Sequence, residues 1–332
     1  MTQTPAQTPL DAVRVPPAPR LGQGRRLLRA LAIVSCAPYI SLKIAWVAGS
    51  EIGIPEGSGL LDHRVQMAVV NSITVLMDAA VVVLALLLTQ PWGLRVRSWL
   101  LAFPMWVATG LLVPIMVGFP LQLLVALGGG TTAQDAPKEP FLDEWVFGVV
   151  YSGFIVQGLT LGTLFVLYAR GRWGHLWHGT VWDLPTAVTG PRMRATTLAG
   201  SVLALFPAVM HLLWAAGSTA GLSPAGLDQR TTDFYVLEGV RVLFVVLAVT
   251  GVLLLAFRRG PQLRVRTPLA LGWVGSGVMG AWGGFMLLVT LMPEADPDKA
   301  ATALMTLTYA GEMITGLLLA TGIASFLRRR GA

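Results

Sequence analysis

The stretch WLLAFPMWVATGLLVPIMVGFPLQLLVAL, residues 99–127, contains no Asp, Glu, Lys or Arg along its whole length. A helix needs about twenty apolar residues to cross ~30 Å of hydrocarbon, and buried helices of soluble proteins seldom run so far without a charge. The stretch therefore reads as a membrane span, long enough to tilt or bend. Pro104, Pro114 and Pro120 lie along it, and Pro114, near the middle and without a backbone donor, is the place where a kink is expected.

Outward from this run, similar runs at 27–49, 66–89, 143–169, 195–217, 234–257, 268–292 and 302–327 bring the expected total to eight spans. Of the 332 residues, 54% are hydrophobic and 12% charged, roughly half the charged share of a soluble domain. A water-soluble surface cannot be built from that. Residues 1–26, rich in Thr, Gln, Pro and Arg, lack the apolar segment of a cleavable signal peptide and are expected to form a disordered tail. The first span then serves as the uncleaved targeting signal. The single cysteine, Cys36, lies inside that span, which leaves no disulfide framework and no cysteine pair for a metal. It is expected to pack as a small buried hydrophobe.

A net charge of +7 in a soluble chain would raise the question of nucleic acid. Here topology accounts for it. Every second connecting segment is basic: Arg25 and Arg26, Arg95 and Arg97, then Arg170, Arg172, Arg192 and Arg194, then Arg258, Arg259, Arg264 and Arg266, and finally Arg328 to Arg330. The segments between them carry Glu51, Glu56 and Asp62, then Asp135, Glu139, Asp143 and Glu144, then Asp228 and Asp233, then Glu294, Asp296 and Asp298. By the positive-inside rule the arginine-rich side, with both termini, is cytoplasmic. Stop-transfer and anionic-headgroup contact account for Arg328 to Arg330. The expected partner is the lipid bilayer of the cell membrane, without nucleic acid; no protein partner is indicated.

The chain also repeats itself. KIAWVAGS at 43–50 recurs as HLLWAAGS at 211–218, LRVR at 94–97 recurs at 263–266, and VYSGFIVQGL from 150 aligns with TYAGEMITGL from 308. Pro38 and Pro207 precede the first pair, and Pro55 and Pro224 follow it. The expected fold class is an all-α membrane protein of eight transmembrane helices, built as two tandem parallel four-helix repeats over 27–172 and 194–332, joined by a cytoplasmic linker at 173–193. With an even number of spans in each half, the copies share one orientation, and a pseudo-twofold axis along the membrane normal relates them. Gly272, Ser276, Gly280 and Gly284 recur every four residues on the seventh span, as Gly158 and Gly162 do on the fourth and Gly316 and Ala320 on the eighth, which predicts smooth faces for close helix packing.

Ionisable groups within a span cost at least a few kcal/mol each when unpaired, so they mark a candidate site. Six qualify: Lys43, Asp78, His211, Glu238, Arg241 and Glu312. Lys43 and His211 occupy equivalent positions of the repeat, whereas Phe154 stands where Glu312 does and Leu247 aligns roughly with Asp78. Glu238 and Arg241, three residues apart, share a helix face and predict an intrahelical ion pair, with Lys43 snorkelling to the outer interface. The alternative is a polar cavity between the halves, with Lys43, His211 and Arg241 as a cationic rim and Asp78 and Glu312 near the membrane middle, where a buried carboxylate takes up a proton.

Catalytic readings fail on inventory. The histidines are His63, His175, His178 and His211, and none follows His211. Glu238 and Arg241 resemble the Glu and Arg motif of membrane-embedded CAAX-type proteases, but those enzymes need EExxxR and later histidines. The GSG at 275–277 likewise lacks the downstream histidine of a rhomboid-type protease. His175 and His178 could bind a metal, but Trp173, Trp177 and Trp182 interleaved with them favour an interfacial belt. No cofactor or metal is expected.

PYISLKIAWVAGSEIG, residues 38–53, resembles a PYxxLKxxWxxGxxxG pattern of multi-pass membrane proteins from high-GC actinobacteria that carry no assigned activity. The resemblance implies membrane location and transfers no catalytic residue. Three function classes follow from the residues: transport of a small solute or ion through a duplicated bundle, a non-transporting sensor or partner subunit, and a lipid-active membrane enzyme.

Overall fold

The computed structural model describes residues 22–58, 60–61, 64–133, 135, 141–294 and 296–331, with the side chains of 64–66 left aside. Most of the expected tail, Asp62, His63 and Glu139 lie outside the described residues. Eight helical spans run Gln23–Val47, Met67–Leu87, Ser98–Leu127, Glu144–Trp177, Pro191–Ala215, Thr232–Ala256, Arg266–Thr290 and Ala303–Gly331. They make an integral membrane protein, all-helical among the described residues.

Irregularities fall in places other than the expected kink. The third span stays one helix through Pro104, Pro114 and Pro120. The first span breaks instead, into Gln23–Val34 and Ala37–Val47, and the fifth into Pro191–Leu203 and Leu205–Ala215. Proline explains both sites. An α-helical N–H bonds the carbonyl four residues back; Pro38 and Pro207 have none to give Val34 and Leu203, the residues at which the first segments end. The seventh span contains a π-helical turn at Val278–Trp282.

The first and fifth spans end alike. Ser50 N–H donates to Ala45 O and Gly49 N–H to Trp46 O, while Ser218 N–H donates to Leu213 O and Gly217 N–H to Trp214 O. This is the Schellman closure, and it needs a left-handed residue, supplied by Gly49 and Gly217, each at φ +91°. The tryptophans then fold back on the loop: Trp46 Nε1 donates to Ile52 O at 2.7 Å and Trp214 Nε1 to Ala220 O at 2.9 Å. Gly53 and Gly221 receive the starts of the fourth and eighth spans, through Asp143 N–H and the Thr302 hydroxyl.

The two groups of four spans meet along the third and seventh. Trp106 Nε1 donates to Ser276 Oγ at 3.1 Å and Trp273 Nε1 to Thr109 Oγ1 at 3.3 Å. A Cβ on Gly110 would sit 2.0 Å from the Gly277 carbonyl oxygen, and one on Gly316 2.2 Å from Gly280 N. Gly162 differs from the packing face expected of it, since nothing lies within 4 Å of its Cβ position. Segment 173–193 packs onto the last four spans: Val181, Leu184 and Val188 are buried with Leu255, Val265 and Phe326. Arg329 and Arg330 hold it by donating to Ala187 O and His178 O. Those arginines therefore do more than anchor the end of a span.

Candidate functional site

Four of the six intramembrane charges come together. His211, Glu238, Arg241 and Glu312 project from the fifth, sixth and eighth spans into one cluster near the acidic-loop end. His211 Nδ1 lies 2.5 Å from Glu238 Oε2, and its Nε2 lies 3.7 Å from Glu312 Oε2. Arg241 completes the ring, with Nε 3.5 Å from Glu238 Oε1 and Nη1 3.7 Å from Glu312 Oε2. The intrahelical pair of Glu238 and Arg241 is thus one edge of a larger network. With a protonated imidazole the four side chains are neutral overall, which lets them be buried together.

The cluster is largely buried, with the Arg241 side chain 16% exposed, and His211 Nε2, Arg241 Nη1 and Glu312 Oε2 have no hydrogen-bond partner. His211 is 0% exposed, Glu312 1% and Glu238 6%. Trp214 meets the imidazole edge-on, and Arg241 lies over the Tyr309 ring at 5.6 Å. Across from Glu312 the seventh span presents Gly283, where a Cβ would meet Glu312 Cβ at 2.9 Å. The π turn immediately precedes that glycine.

Lys43 and Asp78 stand apart from this cluster, in the first four spans. Lys43 Nζ donates to Asn71 Oδ1 at 2.8 Å and sits over the rings of Tyr39 and Trp46. Asp78 Oδ1 accepts from Gln157 Nε2 at 3.3 Å. Asn71 and Gln157 escaped notice in the sequence because neutral amides carry no charge to flag them. Their signal was position, since each is a polar residue inside an apolar run. Asp233, read as a topology marker, is 1% exposed and accepts from Gln122 Nε2, Ala133 N–H and the Thr231 hydroxyl, tying the sixth span to the end of the third.

A groove of about 900 Å³ opens between the third and fourth spans on one side and the seventh and eighth on the other. Its walls are apolar, with Met105, Leu112, Leu161, Phe165, Leu269 and Trp273 among them, and Gly162 gives it width. At the arginine-rich end it is rimmed by Arg170, Arg266 and Arg328. A chamber of about 420 Å³ adjoins it there, sharing Arg170, Trp177 and Arg266 and adding His178, Thr180 and Arg264. None of the six intramembrane charged residues lines either cavity. Among the described residues, no group of three or more His, Cys, Asp and Glu side chains is placed to hold a metal ion. Comparison with protein families, curated proteins and solved structures found no match.

Proposed function

We propose that this protein binds an anionic phospholipid of the cytoplasmic leaflet, holding an acyl chain in the groove and the phosphate headgroup among the arginines at its end. The observation that carries this is the continuity of the two cavities: an apolar trough ends in Arg170, Arg264, Arg266 and Arg328. Its volume falls within the ~300–1,000 Å³ usual for ligand sites. From Ser98 to Met116 the third span rises roughly 27 Å, more than the ~15 Å of hydrocarbon in one leaflet. Arginine suits the headgroup, because its planar fork pairs with phosphate oxygens in two places.

The same proposal takes the two groups of four spans as copies of one unit, related along the membrane normal, with both termini cytoplasmic. The shared Schellman closures and tryptophan anchors support it. Carriage of a small solute or ion between the halves has less support, because none of the six charged residues named for such a path lines either cavity. Among the described residues no constellation of side chains supports a catalytic role.

Delipidated protein tested against bilayers carrying brominated anionic or zwitterionic phospholipid checks the proposal. Trp177 and Trp273 line the groove, so brominated anionic lipid is expected to quench tryptophan emission more than its zwitterionic counterpart does. Arg170→Gln with Arg266→Gln should erase that preference, and Gly162→Leu, which fills open space, should lower quenching by both lipids. Equal quenching by both lipids in the wild type, unchanged in the variants, would exclude the site.

A further inference from the structure

In the first four spans a polar stripe runs inward from the acidic-loop end and stops at Asp78. Asn71, Thr74 and Asp78 are three and four residues apart on the second span, so they share one helix face. Beyond Asp78 that face continues as Val81, Leu84, Ala85 and Leu88, all buried and apolar. Lys43 and Tyr39 face the stripe from the first span, and Gln157 from the fourth.

Three polar atoms along it are buried with no hydrogen-bond partner: Asn71 Nδ2, Asp78 Oδ2 and Gln157 Oε1. Their residues are 3%, 4% and 1% exposed. Orphans of this kind mark sites for internal water. Asn71 and Asp78 are two helical turns apart, roughly 10 Å, too far for one molecule to bridge. Satisfying them calls for a short file of waters, accepting from Asn71 at one end and donating to Asp78 and Gln157 at the other.

We propose that this stripe is a blind, water-filled path that brings protons from the acidic-loop face to Asp78, making Asp78 a proton-binding site in the middle of the membrane. A hydronium at the mouth gives up a proton to the file, each water passes one on as it receives one, and the final O–H bond forms at Asp78 Oδ2. The hydronium becomes water and the carboxylate becomes a carboxylic acid, with no other reactant. Oδ2 turns from an unmatched acceptor into a donor to the last water of the file.

A metal cation fits the place less well. Asp78 Oδ2 and Gln157 Oε1 fall short of the about six oxygens that a hard cation takes. Other titratable groups around Asp78 are Tyr39 and Cys36 on the first span, with Tyr151 of the fourth beside Tyr39. Lys43 is the sole cation in this set.

Infrared spectroscopy of the purified full chain in detergent, titrated with pH in H₂O and D₂O, tests this. The carboxylic-acid C=O band of Asp78, assigned by its loss in Asp78→Asn, is expected to grow as pH falls and to shift promptly in D₂O. Asn71→Leu, which fills the path, should keep the band but slow its exchange. If Asp78→Asn does not fold, the changed band frequency in Asp78→Glu makes the same assignment. The proposal is overturned by the absence of any Asp78 band while the protein stays folded, or by unchanged exchange in Asn71→Leu. A band that follows Na⁺ or K⁺ at constant pH would also overturn it, in favour of a metal-cation site.

Discussion

Lys43 and His211 follow the same break in a span and precede the same Trp-x-x-Gly closure, yet their surroundings oppose each other. Around His211 every charge has a counter-charge: two carboxylates, a guanidinium and the imidazole are shut away behind Trp214, Tyr309 and Gly283. Around Lys43 the partners are neutral amides, and Asp78 lies deeper with one oxygen unpartnered. Charges that neutralise one another can be buried together in a low dielectric, although His211 Nε2, Arg241 Nη1 and Glu312 Oε2 have no hydrogen-bond partner. Amides that leave atoms over are open to water. The difference teaches that the cluster around His211 is balanced by opposite charges whereas Lys43 and Asp78 are held by neutral amides and rings, while each set leaves three buried polar atoms without a hydrogen-bond partner.

Breaking one member of each set gives the largest effect. Arg241→Leu leaves two buried carboxylates facing only His211 and should cost about 3–5 kcal/mol, read from denaturant unfolding in detergent. Lys43→Leu orphans only Asn71 Oδ1 and should cost about 1–3 kcal/mol. A reversed order would end the contrast between the two sets of charges. Next come the glycines between helices. Gly110→Leu drives a side chain into the Gly277 carbonyl, for about 1–3 kcal/mol of overpacking, whereas Gly162→Leu enters open space and should leave stability nearly unchanged. The smallest effect sharpens the likeness of the two groups. Trp46→Phe and Trp214→Phe each remove one hydrogen bond to a loop carbonyl, at about 0.5–1.5 kcal/mol, and the two losses should match.

Much of this architecture was legible in the residues. Runs of twenty or more apolar residues read directly as spans, and the boundaries in the structure lie within several residues of those expected. The repeated Trp and Gly positions marked the two loop closures, because a left-handed turn after a helix calls for glycine wherever it occurs. Less legible was the site. Glu238 and Arg241 announced their pairing through a spacing of three, but Glu312 lies on a span with no sequence link to them. Only packing brings it to His211 and Arg241. Asn71 and Gln157, neutral amides with no charge to mark them, carry two of the three unsatisfied atoms on the path to Asp78.

Sequence alone determined the class of this protein, since hydrocarbon demands that every backbone polar group be satisfied within a helix, and the length and purity of its apolar runs leave no other fold. Where helices break was not fixed by proline alone: the third span stays one helix through Pro104, Pro114 and Pro120, while the first and fifth break four residues before Pro38 and Pro207. Tertiary structure decided the rest: which charges neutralise one another, which polar atoms are left without partners, and where the groove between the third, fourth, seventh and eighth spans meets its arginines. Those outcomes depend on contacts between spans far apart in the chain, and side-chain electrostatics in a low dielectric change steeply over the ångströms that such packing sets.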